Sequence, residues 1–199
     1  IQNDTKTCPD TGMAGASRSL YMDGNATIIA ANKLLAAMRK EDGTLRTYDE
    51  MKAEGIETKY LGRYETNTTP GLCRLDPNTG IGDPTPAFTY CLNLAEVEVD
   101  TKTGKTTVLK FACVDFVGRI GNIDAVNGQA YSGIMHGIGF ALKEDYADVK
   151  KHANMFGAGT SYIKDVPDDI NLIHIDGAIS DGPFGSSGAS EAFQASGHC

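Results

Sequence analysis

The chain runs to 199 residues with 41% hydrophobic side chains, enough to bury a core, and carries a net charge of -8. Its 18 Lys and Arg are scattered without a basic stripe, which argues against nucleic-acid or anionic-membrane binding. No apolar run approaches the roughly 20 residues a bilayer requires, and Ile1-Gln2-Asn3-Asp4 has no signal-peptide character, so a cytoplasmic setting is expected.

In chain order, the first feature is a small-residue cluster, Thr11-Gly12-Met13-Ala14-Gly15-Ala16-Ser17-Arg18-Ser19, placed just before a predicted helix over 24–40. In that helix Ile28, Ala31, Leu35 and Met38 recur at helical spacing, and Arg39-Lys40 fall where cations suit the C-terminal dipole. Thr47-Tyr48-Asp49-Glu50 has capping-box form and opens a short surface helix that Gly55 would stop. Residues 56–86, rich in Pro and Gly and holding a lone G-x-G at Gly80-Ile81-Gly82, read as a long irregular excursion. Leu92-Asn93-Leu94 and Val97-Glu98-Val99 alternate as a strand with a phase slip at Ala95-Glu96, and Thr101 to Gly104 turn it into a second strand through Leu109, Phe111 and Cys113. A second helix is predicted over 127–143, with Gly133 and Gly137 one turn apart and open to close approach by another backbone. A last strand at 170–175 leads into Gly182-Pro183-Phe184-Gly185-Ser186-Ser187-Gly188-Ala189-Ser190-Glu191. These elements give an α+β fold, a mixed sheet with packed helices and no regular βαβ alternation, in one domain over 1–199. Because the first residue is not Met, a piece of a longer polypeptide is expected.

The chemistry concentrates where glycine does. Glycine makes up 23 of 199 residues, well above its usual share of about 7%, and falls in a few clusters. Free N–H groups ahead of a helix, with Ser17 and Arg18 at hand, suit a phosphate; a plain loop with a solvent-facing Arg18 is the competing reading. The closing Gly/Ser run has little side chain to bury, so it reads either as a surface turn or as a backbone cradle that ends at a proton-transferring carboxylate, Glu191. No P-loop and no complete dinucleotide fingerprint occurs, and the near-misses to G-x-S-x-G at Ser17 and Ser190 leave acyl transfer a minor alternative. Cys8, Cys73, Cys91, Cys113 and Cys199 form no C-x-x-C pair, which points to reduced thiols. The four dispersed histidines disfavour a His-ligated metal; His136 reads as packed or hydrogen-bonded, and Asp115 as a strand-end acid.

Four motifs in register carry a resemblance: Gly15-Ala16-Ser17-Arg18; Asp115-Phe116-Val117-Gly118 with Asn122 and Gly128-Gln129; Gly133 to Gly139 running to Glu144-Asp145; and the closing Gly182 to Glu191. Together they are similar to the C-terminal part of the large subunit of molybdenum hydroxylases, the xanthine dehydrogenase and aldehyde oxidoreductase group, with bacterial aldehyde oxidoreductases the nearest in look. The resemblance implies a molybdopterin dinucleotide, the cytosine form, with molybdenum, and a reaction that hydroxylates an aldehyde or N-heterocyclic carbon with oxygen from water. It implies that Gly15, Ala16, Ser17, Arg18 and Ser19 hold phosphate and pterin oxygens, that Gly80 and Gly82 belong to a cofactor loop, and that Ser187, Gly188, Ala189 and Ser190 line the metal side. Glu191 would be the catalytic proton acceptor, and no residue of this chain would ligate the metal. The implied partners are the rest of the large subunit, iron–sulfur and flavin domains or subunits, and a further copy in a homo-oligomer. Departures lie near the site: Ser190 stands where the family has Gly, Ile81 where related enzymes carry Gln, and Ala192 to His198 replace an apolar Pro-containing segment. The fragment alone is expected to be inactive, and a non-catalytic scaffold of the same fold is the alternative.

Overall fold

The computed structural model describes residues 4, 6–10, 15, 17–65, 76, 78–82 and 87–189. The chain divides into two compact units, Ile1–Pro86 and Ala87–Cys199. Among the described residues no helix is long and apolar enough to cross a membrane.

In the first unit a π-helical turn, Ser19–Asp23, runs directly into α1, Gly24–Met38. The helical path therefore begins five residues before the predicted start. The cation at the C-terminus of α1 is Arg46: its Nη1 donates to the carbonyls of Ala37 (3.3 Å) and Arg39 (3.0 Å), where the helix leaves acceptors unpaired. The predicted capping box is present on α2, Tyr48–Ala53: the Glu50 N–H donates to Thr47 Oγ1 at 3.2 Å and the Thr47 N–H to Glu50 Oε2 at 2.7 Å. Gly55 at φ +69° ends the helix as expected. Unlike a purely surface helix, α2 buries Met51 almost completely. The segment 56–65 has no regular structure but lies against α1, where a Cβ on Gly62 would sit 1.8 Å from the Ala26 carbonyl oxygen. The Lys33 Nζ to Leu61 carbonyl bond (2.9 Å) and the edge-to-face Tyr21–Tyr64 rings hold it there.

The second unit is built on a three-stranded mixed sheet in the order β1-β2-β3. β1, Tyr90–Val99, pairs antiparallel with β2, Thr106–Phe116, and the register shifts between Glu96 and Val97, one position beyond the predicted slip. α3, Ile123–Leu142, returns the chain so that β3, Asp169–His174, lies parallel to β2. α3 starts earlier than its apolar spacing predicts because the Asn122 side chain accepts from the Ala125 N–H at 3.0 Å, an N-cap. A four-residue helix α4, Met155–Ala158, follows, capped by Asn154 and stopped by Gly159 at φ +82°. The core joins the inward positions Phe111 and Cys113 of β2, and Val117 just beyond it, to Val126, Ala130, Ile134 and Ile138 on one stripe of α3. Gly139 lies where a Cβ would be 2.7 Å from Glu144 Oε1 and 2.8 Å from Ser161 Oγ, so the chain beyond α3 folds back tightly on that helix. His136, expected to be packed or hydrogen-bonded, is exposed on α3.

Candidate functional site

The closing Gly/Ser run is not a loose surface turn. β2 continues past Phe116 as an extension that grips it: the Ser187 N–H donates to the Val117 carbonyl (3.0 Å), the Arg119 N–H to the Gly185 carbonyl (3.2 Å), and Gly118 bridges Ser186. Gly118 is required twice over, by φ +81° and because a Cβ would meet the Gly185 oxygen at 2.5 Å and the Ser187 nitrogen at 2.6 Å. Within the loop, Gly185 N–H donates to Gly182 O, Ser186 N–H to Pro183 O, and Ser180 Oγ to Ser186 O at 2.5 Å. Ser187 Oγ donates to the Phe88 carbonyl at 2.8 Å. Ser186 and Ser187 are buried as a result.

These bonds change what the loop offers. The amides of Gly185, Ser186 and Ser187 already have partners inside the protein, so the run is a braced platform rather than a row of open donors. Gly188 and Ala189 continue it half-buried, while Ser190 and Glu191 lie outside the described residues. Ser186 Oγ is buried without a hydrogen-bond partner among the described residues, a polar atom for which a bound polar group would compensate. Phe184 holds a left-handed conformation, φ 57° and ψ 19°, and the residue is 82% exposed. A bulky residue in that region is rare and clusters at functional sites.

In the first unit Gly15, Ser17, Arg18 and Ser19 stand at the start of the helical path; Ala16 lies outside the described residues. The Arg18 N–H donates to Gly15 O (3.4 Å) and the Tyr21 N–H to Ser17 O (3.1 Å), so Gly15 to Ser17 form the turn that opens the helix. Arg18 is exposed and makes no ion pair among the described residues. A helix start with an available guanidinium fits a phosphate. Gly80 and Gly82 belong to a turn closed on Asp76, whose Oδ1 accepts from the Asn78 (2.7 Å) and Thr79 (3.1 Å) amides. The Gly80 N–H donates to Asp76 O at 2.8 Å, leaving that amide bonded inside its own turn.

Sequence reasoning missed a buried polar bridge beside the loop. Asp115 on β2 and His174 on β3 are register partners, with His174 Nδ1 2.5 Å from Asp115 Oδ2 and Nε2 2.7 Å from Asn127 Oδ1 on α3. Asp115 is 1% exposed, and its Oδ1 has no hydrogen-bond partner among the described residues. Burial pushes its carboxyl above the usual carboxylate range, opposed by the bond to His174. Next to it, Cys91 Sγ lies 3.4 Å from Cys113 Sγ, and burial raises the Cys91 thiol. The one legible signal was an ionisable residue at an inward position of each strand, spoiling otherwise apolar alternation.

A family model described as the molybdopterin cofactor-binding domain matches residues 1–167. The chain is 42% identical over 188 residues to the aldehyde oxidoreductase of Megalodesulfovibrio gigas, covering 94% of this chain and 20% of that protein. It is 26% identical over 181 residues to the xanthine dehydrogenase of Dictyostelium discoideum, covering 86% of the chain and 13% of the relative. The crystal structure of the aldehyde oxidoreductase from Desulfovibrio desulfuricans superposes with a TM-score of 0.86 at 43% identity, over 98% of this chain and 21% of that one. The chain thus spans about a fifth of the length of the aldehyde oxidoreductases it matches.

Proposed function

The chain belongs to the molybdopterin cofactor-binding domain family, and from that premise we propose that it is the cofactor-binding portion of a larger cytoplasmic oxidoreductase that hydroxylates an aldehyde or N-heterocyclic carbon using water. When bound, the cofactor, a cytosine dinucleotide in this reading, supplies the two-electron acceptor and the water-derived oxygen. The chain's own residues bind and orient. Arg18 and the helix start at Ser19 would receive phosphate, and the Gly182–Ala189 platform would offer Gly188 and Ala189 to the metal side of the cofactor, with Ser190 next in sequence. Glu191, two residues beyond that platform, accepts a proton as the new carbon–oxygen bond forms. A carboxylate there needs a partly dry setting and an acidity matched to its donor. Iron–sulfur domains elsewhere in the complete protein, a flavin among its further partners, and assembly with a second copy belong to the same proposal.

The observation that carries this reading is the bracing of the platform on Val117 and Gly118, which a surface turn does not need. In the complete protein, Glu191→Gln is expected to keep molybdenum and pterin content while turnover falls by about 10²–10⁴-fold, the usual contribution of a positioned base. Near-normal turnover would remove Glu191 from its role. A non-catalytic scaffold is separated by the same measurement on the unaltered protein, where molybdenum, pterin and dye-linked aldehyde oxidation would all be absent.

A further inference from the structure

The bridge from Asp115 through His174 to Asn127 is poorly placed to add stability. Burying an ionisable pair costs about as much in lost hydration as its attraction returns, and apolar residues of similar volume often serve as well or better. What the bridge supplies is register. The inward side chains of the parallel pair run Phe111, Cys113, Asp115 on β2 against Ile170, Leu172, His174 on β3. A two-residue slip keeps every apolar side chain facing inward, so hydrophobic patterning alone resists it weakly. In one direction that slip sets Leu172 beside the buried Asp115, and in the other it sets Asp176, a second carboxylate. Each leaves a buried charge uncompensated. Such a slip would carry the chain after β3 about 6.6 Å along β2.

That chain is strapped to the end of β2 and to the residues that follow it. The Ile175 N–H donates to Asp115 O (2.8 Å), the Ile120 N–H to Asp176 Oδ1 (3.0 Å), Arg119 Nη1 meets Asp176 Oδ2 (3.1 Å), and the Ser187 N–H donates to Val117 O (3.0 Å). Each strap requires β3 in its present register. Asn127 adds a third element by holding the far side of the His174 ring from α3, so the ring cannot turn away from Asp115.

We propose that Asp115, His174 and Asn127 are positioning residues whose bridge fixes the register of β3 on β2 and, through it, the seat at residues 115–120 on which the Gly182–Ala189 platform hangs. Their relevance to catalysis rests on the reading of that platform as a wall of the cofactor site. The test is amide hydrogen exchange across residues 175–189 in the complete protein, read with and without its cofactor, beside the thermal midpoint. For Asp115→Leu/His174→Leu the segment is expected to exchange at least about ten-fold faster while the midpoint stays within a few degrees, because local opening is uncoupled from global unfolding. A merely structural pair would instead lower the midpoint and raise exchange everywhere. Asp115→Asn, which keeps the shape and removes the charge, is the second variant if the first does not fold. It is expected to raise exchange in the same segment and, in the loaded enzyme, to lower kcat with little change in KM. Wild-type exchange across 175–189 in Asp115→Asn overturns the proposal. Exchange needs no turnover, so this result stands apart from that of Glu191→Gln: an active Glu191→Gln variant would sink the catalytic reading and leave the register lock intact.

Discussion

Glu50 shows how much a single side chain can be asked to do on an otherwise exposed helix. Its Oε2 accepts from the Thr47 N–H at 2.7 Å as half of the capping box, and its Oε1 pairs with Lys40 Nζ at 2.8 Å. The hydrogen bond from Lys40, then the Thr47 backbone bond, pull its carboxyl down from 4.5 to about 2. In the unfolded chain those donors are lost, so between about 2 and 4.5 the unfolded state binds the extra proton and stability rises with pH. The contribution of Glu50 is therefore complete above pH 4.5 and disappears as pH falls toward about 2. Thermal midpoints measured across that window should fall more steeply for the wild type than for Glu50→Gln. Equal slopes would show that the exposed ion pair and cap carry no linkage. Lys40 is the residue that makes this uncommon, because it stands ten positions before Glu50 and reaches it across the turn between α1 and α2.

At the scale of elements, the platform and the end of β2 behave as one piece, and Gly118 is the joint. Gly118→Ala must accommodate a methyl 2.5 Å from the Gly185 oxygen in a backbone region that L side chains avoid. Overpacking of this kind costs about 1–3 kcal/mol. The expected outcome is a lower thermal midpoint together with proteolytic cutting between Ile175 and Ala189, and an uncut loop would show that the bracing bonds are dispensable. Much of this architecture was legible beforehand. Periodicity marked both long helices and the hairpin, the capping box was readable from Thr47 and Glu50, and the phase slip announced the bulge. Boundaries were less so. The π-helical turn at Ser19–Asp23 has no spacing signature of its own, and the start of α3 depends on Asn122 rather than on an apolar residue. Of the site, the small-residue loops could be read from composition, but the partners of their amides could not. Whether Gly185 or Ser187 is open to a ligand depends on where residues 117–119 lie, and that is a tertiary fact. The Asp115–His174 pair is separated by 59 positions, and nothing local in either strand names its partner.

For the molecule as a whole, the sheet of the second unit carries apolar side chains on both faces, the outward one turning charged where Glu96, Lys110 and Asp169 meet. The alternation through Leu92 and Leu94 marks a strand, yet these residues are 69% and 68% exposed, and the inward positions belong to Cys91, Asn93 and Ala95. Tyr90, Ile173 and Ile175 extend the same outward row from β1 across to the residue just past β3. A sheet of this kind is a middle layer, since a strand with one solvated face would alternate apolar with polar. The chain spans 20% of the aldehyde oxidoreductase it matches. Contiguous exposed apolar surface beyond a few hundred Å² marks an interaction face or drives association. The 199-residue chain expressed alone should therefore self-associate at micromolar concentration, bind a hydrophobic dye and show no turnover. Leu92→Lys/Leu94→Lys should return the isolated chain toward a monomer in sedimentation, because both side chains already point outward and neither supports the core around Ile134. The same pair placed in the complete protein should lower its thermal midpoint by burying two ammonium groups against a second layer. A monomeric, dye-silent wild-type fragment would mean that the outward row is covered within the chain itself.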